Sequence, residues 1–190
     1  MKAIVYQGPE KIEVKDVPMI APKGGWTLVK VSHVGVCGSD ITIYYGKHPR
    51  AKAPLIMGHE FSGYIASENP DLPMGTLVTA FPYIPCHNCE RCENGQFHVC
   101  KSLKLIGIDL DGGMAEYARL PKGSVLSKVP ADMPLEQALL IEPYGCAKHC
   151  IDRAQIGCED VVVISGAGTL GLGMITYARM KNPAMLVVLD

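Results

Sequence analysis

Four cysteines fall within the fifteen residues "CHNCERCENGQFHVC", at Cys86, Cys89, Cys92 and Cys100. In this C-x2-C-x2-C-x7-C spacing the short gaps let neighbouring thiolates converge on one ion, and the longer gap brings the fourth sulfur round to close a tetrahedron. Four sulfurs leave no open coordination position, so the arrangement reads as a structural zinc site that stabilises a loop. The first three cysteines also match the start of an iron–sulfur run. Seven residues stand where that run has three, however, and no proline follows Cys100. An iron–sulfur cluster or unliganded thiols are the alternatives to zinc. His87 and His98 read as exposed loop histidines, and the mixture of acids and bases in the segment offers no basic face for nucleic acid.

Two glycine-flanked stretches carry isolated ligands. Cys37 lies in "GVCGSD", and His59 with Glu60 lies twenty-two residues on in "GHEFSG". Singly, each reads as a buried thiol or a satisfied imidazole. Together with a third ligand they would form an open metal site. Ser39 and Asp40 follow Cys37 closely, where they could also cap a helix beginning in "ITIYY". His33 reads as structural. Further along, "SGAGTLG" sets Gly166, Gly168 and Gly171 as G-x-G-x-x-G, with Thr169 and Leu170 inside it. Backbone N–H groups at such a turn can meet a pyrophosphate. Asp190 stands nineteen residues beyond Gly171, where an acid would bond ribose hydroxyls and repel a 2'-phosphate, favouring NAD over NADP.

These residues need elements to position them. Up to about residue 130 the chain is rich in valine, isoleucine and threonine in short runs broken by Gly and Pro, such as "KAIVY", "TLVKVSHVGV" and "TLVTAFPY". That texture predicts a compact β-rich domain. From "MPLEQALLIEPYGCAKHCIDRAQ" the period changes to three and four, predicting helices at about 134–141 and 143–154. Then "DVVVIS" reads as an apolar strand, "LGMITYARMKN" as a helix and "AMLVVLD" as a second strand. The expected fold class is α/β: a β-rich domain over 1–150, and over 151–190 the start of a doubly wound parallel sheet of the Rossmann type.

Bulk properties exclude several classes. Eighteen basic against nineteen acidic residues give a net charge of −1, without the positive field that nucleic acid or anionic membranes attract. Residues 161–178 carry no charge over eighteen positions, near the lower limit of a membrane span, but their glycines fall where a strand turns into a helix. The first residues, "MKAIVYQGPEKIEVKD", lack the hydrophobic run of a signal peptide, so a cytoplasmic location is expected. Eight cysteines in a reducing compartment read as ligands, nucleophiles or buried thiols rather than disulfides.

"GVCGSD", "GHEFSG", the four-cysteine loop, "DGGMAEYARLP" at 111–121, "EPYGCAKH" at 142–149 and "GAGTLG" occur in an order that resembles the zinc-containing medium-chain dehydrogenases, most closely their polyol (sorbitol-like) branch. The resemblance covers nearly the whole chain. It implies a GroES-like catalytic domain followed by a Rossmann domain, and the use of two zincs and NAD. Cys37 and His59 would then be catalytic zinc ligands, with Glu142 as the third, and Cys146, His149 or Cys150 are substitutes at nearby helical positions. Glu60 would be a carboxylate beside the metal, Asp40 the acceptor of the other His59 ring N–H, and Ser39 the hydroxyl that takes the substrate proton. Thr42 stands where many members have a relay histidine, which leaves a shorter relay or one through His48. The implied reaction is oxidation of a secondary alcohol, a polyol, with a threonine-type amino alcohol as the alternative substrate. Such proteins are nearly twice as long and form homo-oligomers, dimers or tetramers. This chain is therefore expected to be a truncated form, and for it the rival reading is a non-catalytic, zinc-stabilised domain. Two strands of a six-stranded sheet would leave "VVVIS" and "MLVVL" with uncovered apolar faces.

Overall fold

The computed structural model describes every residue except Ile20 and Lys23. It forms two compact units, Met1–Leu139 and Leu140–Asp190. The expected division at residue 150 falls inside a helix. "IEPYGCAKHCIDRA" runs unbroken from Ile141 to Ala154, because Pro143 sits in its first turn, where no backbone N–H is needed.

In the first unit, β1 (Lys2–Gly8) turns into β2 (Lys11–Asp16); β3 (Thr27–Val34) leads to α1 (Gly38–Tyr44), and β4 (Leu55–Ile56) and β5 (Phe61–Ile65) follow. β6 (Leu77–Ala80) and β7 (Tyr83–Ile84) precede the cysteine loop, which contains α2 (Glu90–Glu93) and a 3-10 turn at Phe97–Val99. β8 (Lys104–Leu105), β9 (Tyr117–Leu120), β10 (Leu126–Lys128) and α3 (Leu135–Ala138) complete the unit. The strands pair antiparallel in three sheets, ordered β2-β1-β4, β10-β6-β5-β3-β9 and β7-β8.

Alternation places Val29 of β3, Phe61 and Ile65 of β5, Val78 and Ala80 of β6, and Ala118 and Leu120 of β9 in one core with Ile106. Phe61 is 1% exposed, a burial that stabilises by roughly 2–3 kcal/mol. A second cluster joins β1 and β4 to Ile43 of α1, Met57 and Met114. Between β3 and β5 the register shifts at Val31/His33, and beyond the shift the Gly35 N–H donates to the Glu60 carbonyl at 2.6 Å.

The second unit has α4 (Ile141–Ala154), β11 (Val161–Ser165), α5 (Thr169–Met180) and β12 (Met185–Leu189). β11 and β12 are parallel and in register from Val161↔Met185 to Ser165↔Leu189, joined by α5 as a β-α-β crossover. Val162, Ile164 and Leu186 turn one sheet face towards Ile151 of α4 and Ala178 of α5. The opposite face carries Val161, Val163, Met185 and Leu189, each more than half exposed. Among the described residues no helix is long and apolar enough to cross a membrane.

Candidate metal centres and glycine turn

The cysteine loop is bracketed by the β7–β8 pair, with Cys86 just after one strand and Cys100 four residues before the other, so sheet pairing closes the long gap in the motif. Sγ–Sγ separations are 3.4 Å for Cys86–Cys100, 3.6 Å for Cys89–Cys92 and 3.9 Å for Cys89–Cys100. A tetrahedron of sulfurs about 2.3 Å from zinc has edges of roughly 3.8 Å, so the four atoms already stand at the spacing of a zinc–thiolate shell. The N–H groups of Cys86 and Ser102 donate to Cys100 Sγ at 3.3 and 3.4 Å, as suits a sulfur that carries charge. Backbone donation, first from Lys101 and then from Cys92, holds Cys89 down at about 6, and similar donation from Cys86 lowers Cys100. Burial and the neighbouring thiols push Cys92 up to about 12. Four such groups ionise together only around a cation. The donor set thus fits zinc.

A second cluster lies elsewhere in the same unit. Cys37, His59 and Glu60 bring one sulfur, one ring nitrogen and one carboxylate oxygen within 4.8 Å of one another. Cys37 is the N-cap residue of α1, in extended conformation, and its backbone N–H donates to Asp40 Oδ2 at 2.9 Å. Asp40, 2% exposed, thus orients Cys37 from the third position of α1, which begins at Gly38 and not within "ITIYY", so the cap residue is Cys37 and Asp40 reaches back to it from inside the helix. Asp40 Oδ1 makes no hydrogen bond among the described residues. Ser39 Oγ lies 3.4 Å from His59 Nε2. Hydrogen bonding from His59, and then from Ser39, holds the Cys37 thiol below its usual range against the opposing effect of burial. Sulfur, imidazole and carboxylate at this spacing fit a zinc or similar ion with room for another ligand.

Backbone packing holds His59 in place. Gly58, at φ +90°, leads into His59, and the "DGGM" segment braces it. Gly112, Gly113 and Met114 donate their N–H groups to the carbonyls of Ile56 (2.7 Å), Gly58 (2.8 Å) and Met57 (3.0 Å). At Gly112 a Cβ would run into the Gly58 carbonyl, so only glycine lets the two backbones touch. Gly35 similarly leaves space for the Glu60 side chain. Reading the motifs one by one does not reveal this bracing, although the two adjacent glycines of "DGGM" were its one visible signal.

Glu142 stands in the first turn of α4, in the second unit, where Cys146 Sγ donates to its Oε1 at 3.6 Å. His149 and Cys150 lie further along the same helix. The compact cluster in the first unit has Glu60 as its third member. His48 Nδ1 accepts the N–H groups of Arg50 and Ala51 at 3.3 and 3.2 Å, which leaves Nε2 to carry the proton of the neutral ring. Thr42 Oγ1 donates to the Gly38 carbonyl at 3.0 Å.

In the second unit the glycine turn joins β11 to α5. Gly166 adopts φ +96°, Gly168 is the N-cap of α5, and at Gly171 a Cβ would run into the Gly166 carbonyl. Gly166 and Gly171 therefore answer separate steric demands, whereas a Cβ at Gly168 would meet nothing within 4 Å; Thr169 and Leu170 begin the helix. The first N–H groups of α5 have no partner within the helix and form an anion-binding end, which fits the pyrophosphate of a dinucleotide. Asp190 follows β12 directly, and its Oδ1 accepts the Ala167 N–H at 2.8 Å, which ties the strand end to the turn.

Residues 23–131 match the alcohol dehydrogenase GroES-like domain. Over its whole length the chain is 34% identical to an erythritol/L-threitol dehydrogenase of Mycolicibacterium smegmatis, covering 57% of that protein. An L-threonine 3-dehydrogenase of Pyrococcus abyssi is 38% identical over 99% of the chain and 54% of its own length. A crystal structure described as a short chain alcohol dehydrogenase of Escherichia coli CFT073 with NADH superposes with a TM-score of 0.91 at 31% identity, over 100% of this chain and 56% of that one. The chain thus spans little more than half the length of the relatives it matches. It belongs to the alcohol dehydrogenase GroES-like family and, through it, to the zinc-containing medium-chain dehydrogenases.

Proposed function

We infer that this chain is the metal-binding part of a zinc-dependent, NAD-linked dehydrogenase that oxidises a secondary alcohol, a polyol. The convergence of Cys37, His59 and Glu60 within 4.8 Å carries the reading, since an open site of mixed donors is what alcohol activation requires. When bound, zinc supplies the Lewis acidity that lowers an alcohol's pKa, and NAD supplies the hydride acceptor.

The chain's residues divide the remaining work. Cys37 and His59, with Glu142 as third ligand, would hold the catalytic zinc, and Glu60 would stand as the adjacent carboxylate. Ser39, 3.4 Å from His59 Nε2, would accept the proton of the substrate hydroxyl and release its own towards solvent. Asp40 positions Cys37 by holding its N–H. Cys86, Cys89, Cys92 and Cys100 hold a structural zinc and take no part in the reaction. Gly166, Gly168, Thr169, Leu170 and Gly171 receive the NAD pyrophosphate, and Asp190 the adenosine ribose hydroxyls, which selects NAD over NADP. The domain assignment is a GroES-like catalytic domain running into α4 and the first part of a Rossmann domain after it. The substrate is a small-molecule alcohol, and the intact protein is read as a cytoplasmic homo-oligomer, as the resemblance to the medium-chain dehydrogenases and the polar N-terminal residues suggest. The Pyrococcus abyssi relative supports a second reading in which the alcohol is an amino alcohol such as L-threonine.

Elemental analysis tests the metal assignment. About two zincs per chain, falling to about one in Cys37→Ala, are expected. About one zinc in both proteins would overturn the catalytic site. Turnover of polyols against L-threonine by the intact protein, with NAD and NADP in parallel, separates the two substrate readings.

A further inference from the structure

Apart from the metal clusters, the first unit contains a concavity of about 510 Å³ between the start of β3, the end of β9 and the segments 50–55 and 108–111. Three cations and two carboxylates line it: Arg50, Lys52, Arg119, Asp109 and Asp111. Both carboxylates are engaged within the fold. Asp109 pairs with Arg50, whose Nε donates to Oδ1 at 3.0 Å, and its Oδ2 also accepts the Leu105 N–H at 2.7 Å. Asp111 Oδ1 accepts the Ile56 N–H at 3.0 Å.

Arg119 and Lys52 form no salt bridge to a carboxylate among the described residues. The Arg119 guanidinium lies 4.6 Å from the centroid of the Trp26 ring. With no carboxylate partner among the described residues, the guanidinium keeps N–H donors for an oxyanion, and its cation–π contact with the half-buried indole orders it. Three cations less two acids leave this concavity one positive charge in excess, within a chain whose net charge is −1. The local excess therefore does not reflect a basic surface at large.

We propose that this concavity is a binding site for a small oxyanion, a phosphate monoester or a carboxylate, held by the Arg119 fork and the Lys52 ammonium over Trp26. The site is separate from the zinc and dinucleotide sites, whose residues do not line it. It does not depend on the reaction proposed above.

Trp26 is the chain's one tryptophan, so its fluorescence reports on this site. The test titrates inorganic phosphate and, separately, succinate into the 190-residue chain at constant ionic strength, with chloride as the control. A saturable change with one or both anions, absent with chloride, is expected, and which anion binds tighter identifies the oxyanion. Lys52→Gln leaves the Trp26–Arg119 contact intact and is expected to weaken binding about tenfold, as is Arg119→Gln measured by titration calorimetry. Cys37→Ala is expected to bind as the parent does. A response equal to that of chloride, or an affinity unchanged in both Lys52→Gln and Arg119→Gln, would overturn the proposal.

Discussion

Asp40 Oδ2 accepts the backbone N–H of Cys37 at 2.9 Å, so a buried carboxylate fixes the residue that supplies the sulfur of the mixed-donor cluster. Losing a helix cap costs about 0.5–2 kcal/mol, and burial of this one argues for the upper part of that range. Asp40→Ala should lower stability in urea denaturation by about 2 kcal/mol and reduce zinc retained at the second site, while Asp40→Asn keeps an acceptor and loses less. A fully stable, fully loaded Asp40→Ala protein would show that the bond does not position Cys37.

Gly112 and Gly145 should respond in opposite directions to the same substitution. A Cβ at Gly112 meets the backbone of Gly58 and Met57, which cannot rotate away, whereas one at Gly145, inside α4, meets nothing within 4 Å. Gly112→Ala is expected to destabilise by more than about 2 kcal/mol. Gly145→Ala should stabilise by about 0.5–1 kcal/mol through helix propensity. Thermal melts of the two variants decide this, and equal shifts would contradict the packing described at His59.

The cysteine loop should show a graded pH response once its metal is removed. Cys89, at about 6, is protonated at pH 5 and is a thiolate at pH 7, so its alkylation by iodoacetamide should accelerate across that interval and then level off. Cys92, at about 12, should stay unreactive throughout. With zinc bound all four should be protected, and zinc retention should fall as pH drops, because acid protonates the ligands. Peptide mapping by mass spectrometry reads each site. Cys92 reacting as fast as Cys89 at pH 7 would contradict the geometry.

The exposed face of the β11–β12 sheet should drive self-association of the 190-residue chain. Val161, Val163, Met185 and Leu189 lie side by side on the face away from the helices. Contiguous apolar surface of this kind favours burial against another molecule. Sedimentation over a range of concentrations should show association that weakens in a Val161→Lys, Val163→Thr double variant. A monomer at all concentrations would refute this.

Much of the local chemistry was determined by sequence alone. C-x2-C-x2-C and G-x-G-x-x-G act through residues within one or two turns of each other, so spacing fixes what they can do. The apolar runs "VVVIS" and "MLVVL" became β11 and β12 because a strand buried against helices needs continuous hydrophobicity. Tertiary structure decided what depends on segments distant in the chain. Pairing of β7 with β8 set the sulfurs at tetrahedral spacing, and the register shift between β3 and β5 brought Cys37, Glu60 and His59 together. Contact between Gly58 and Gly112, and the cation–π contact of Arg119 with Trp26, join residues whose separation in sequence carries no signal, because only closure of the antiparallel sheets makes them neighbours.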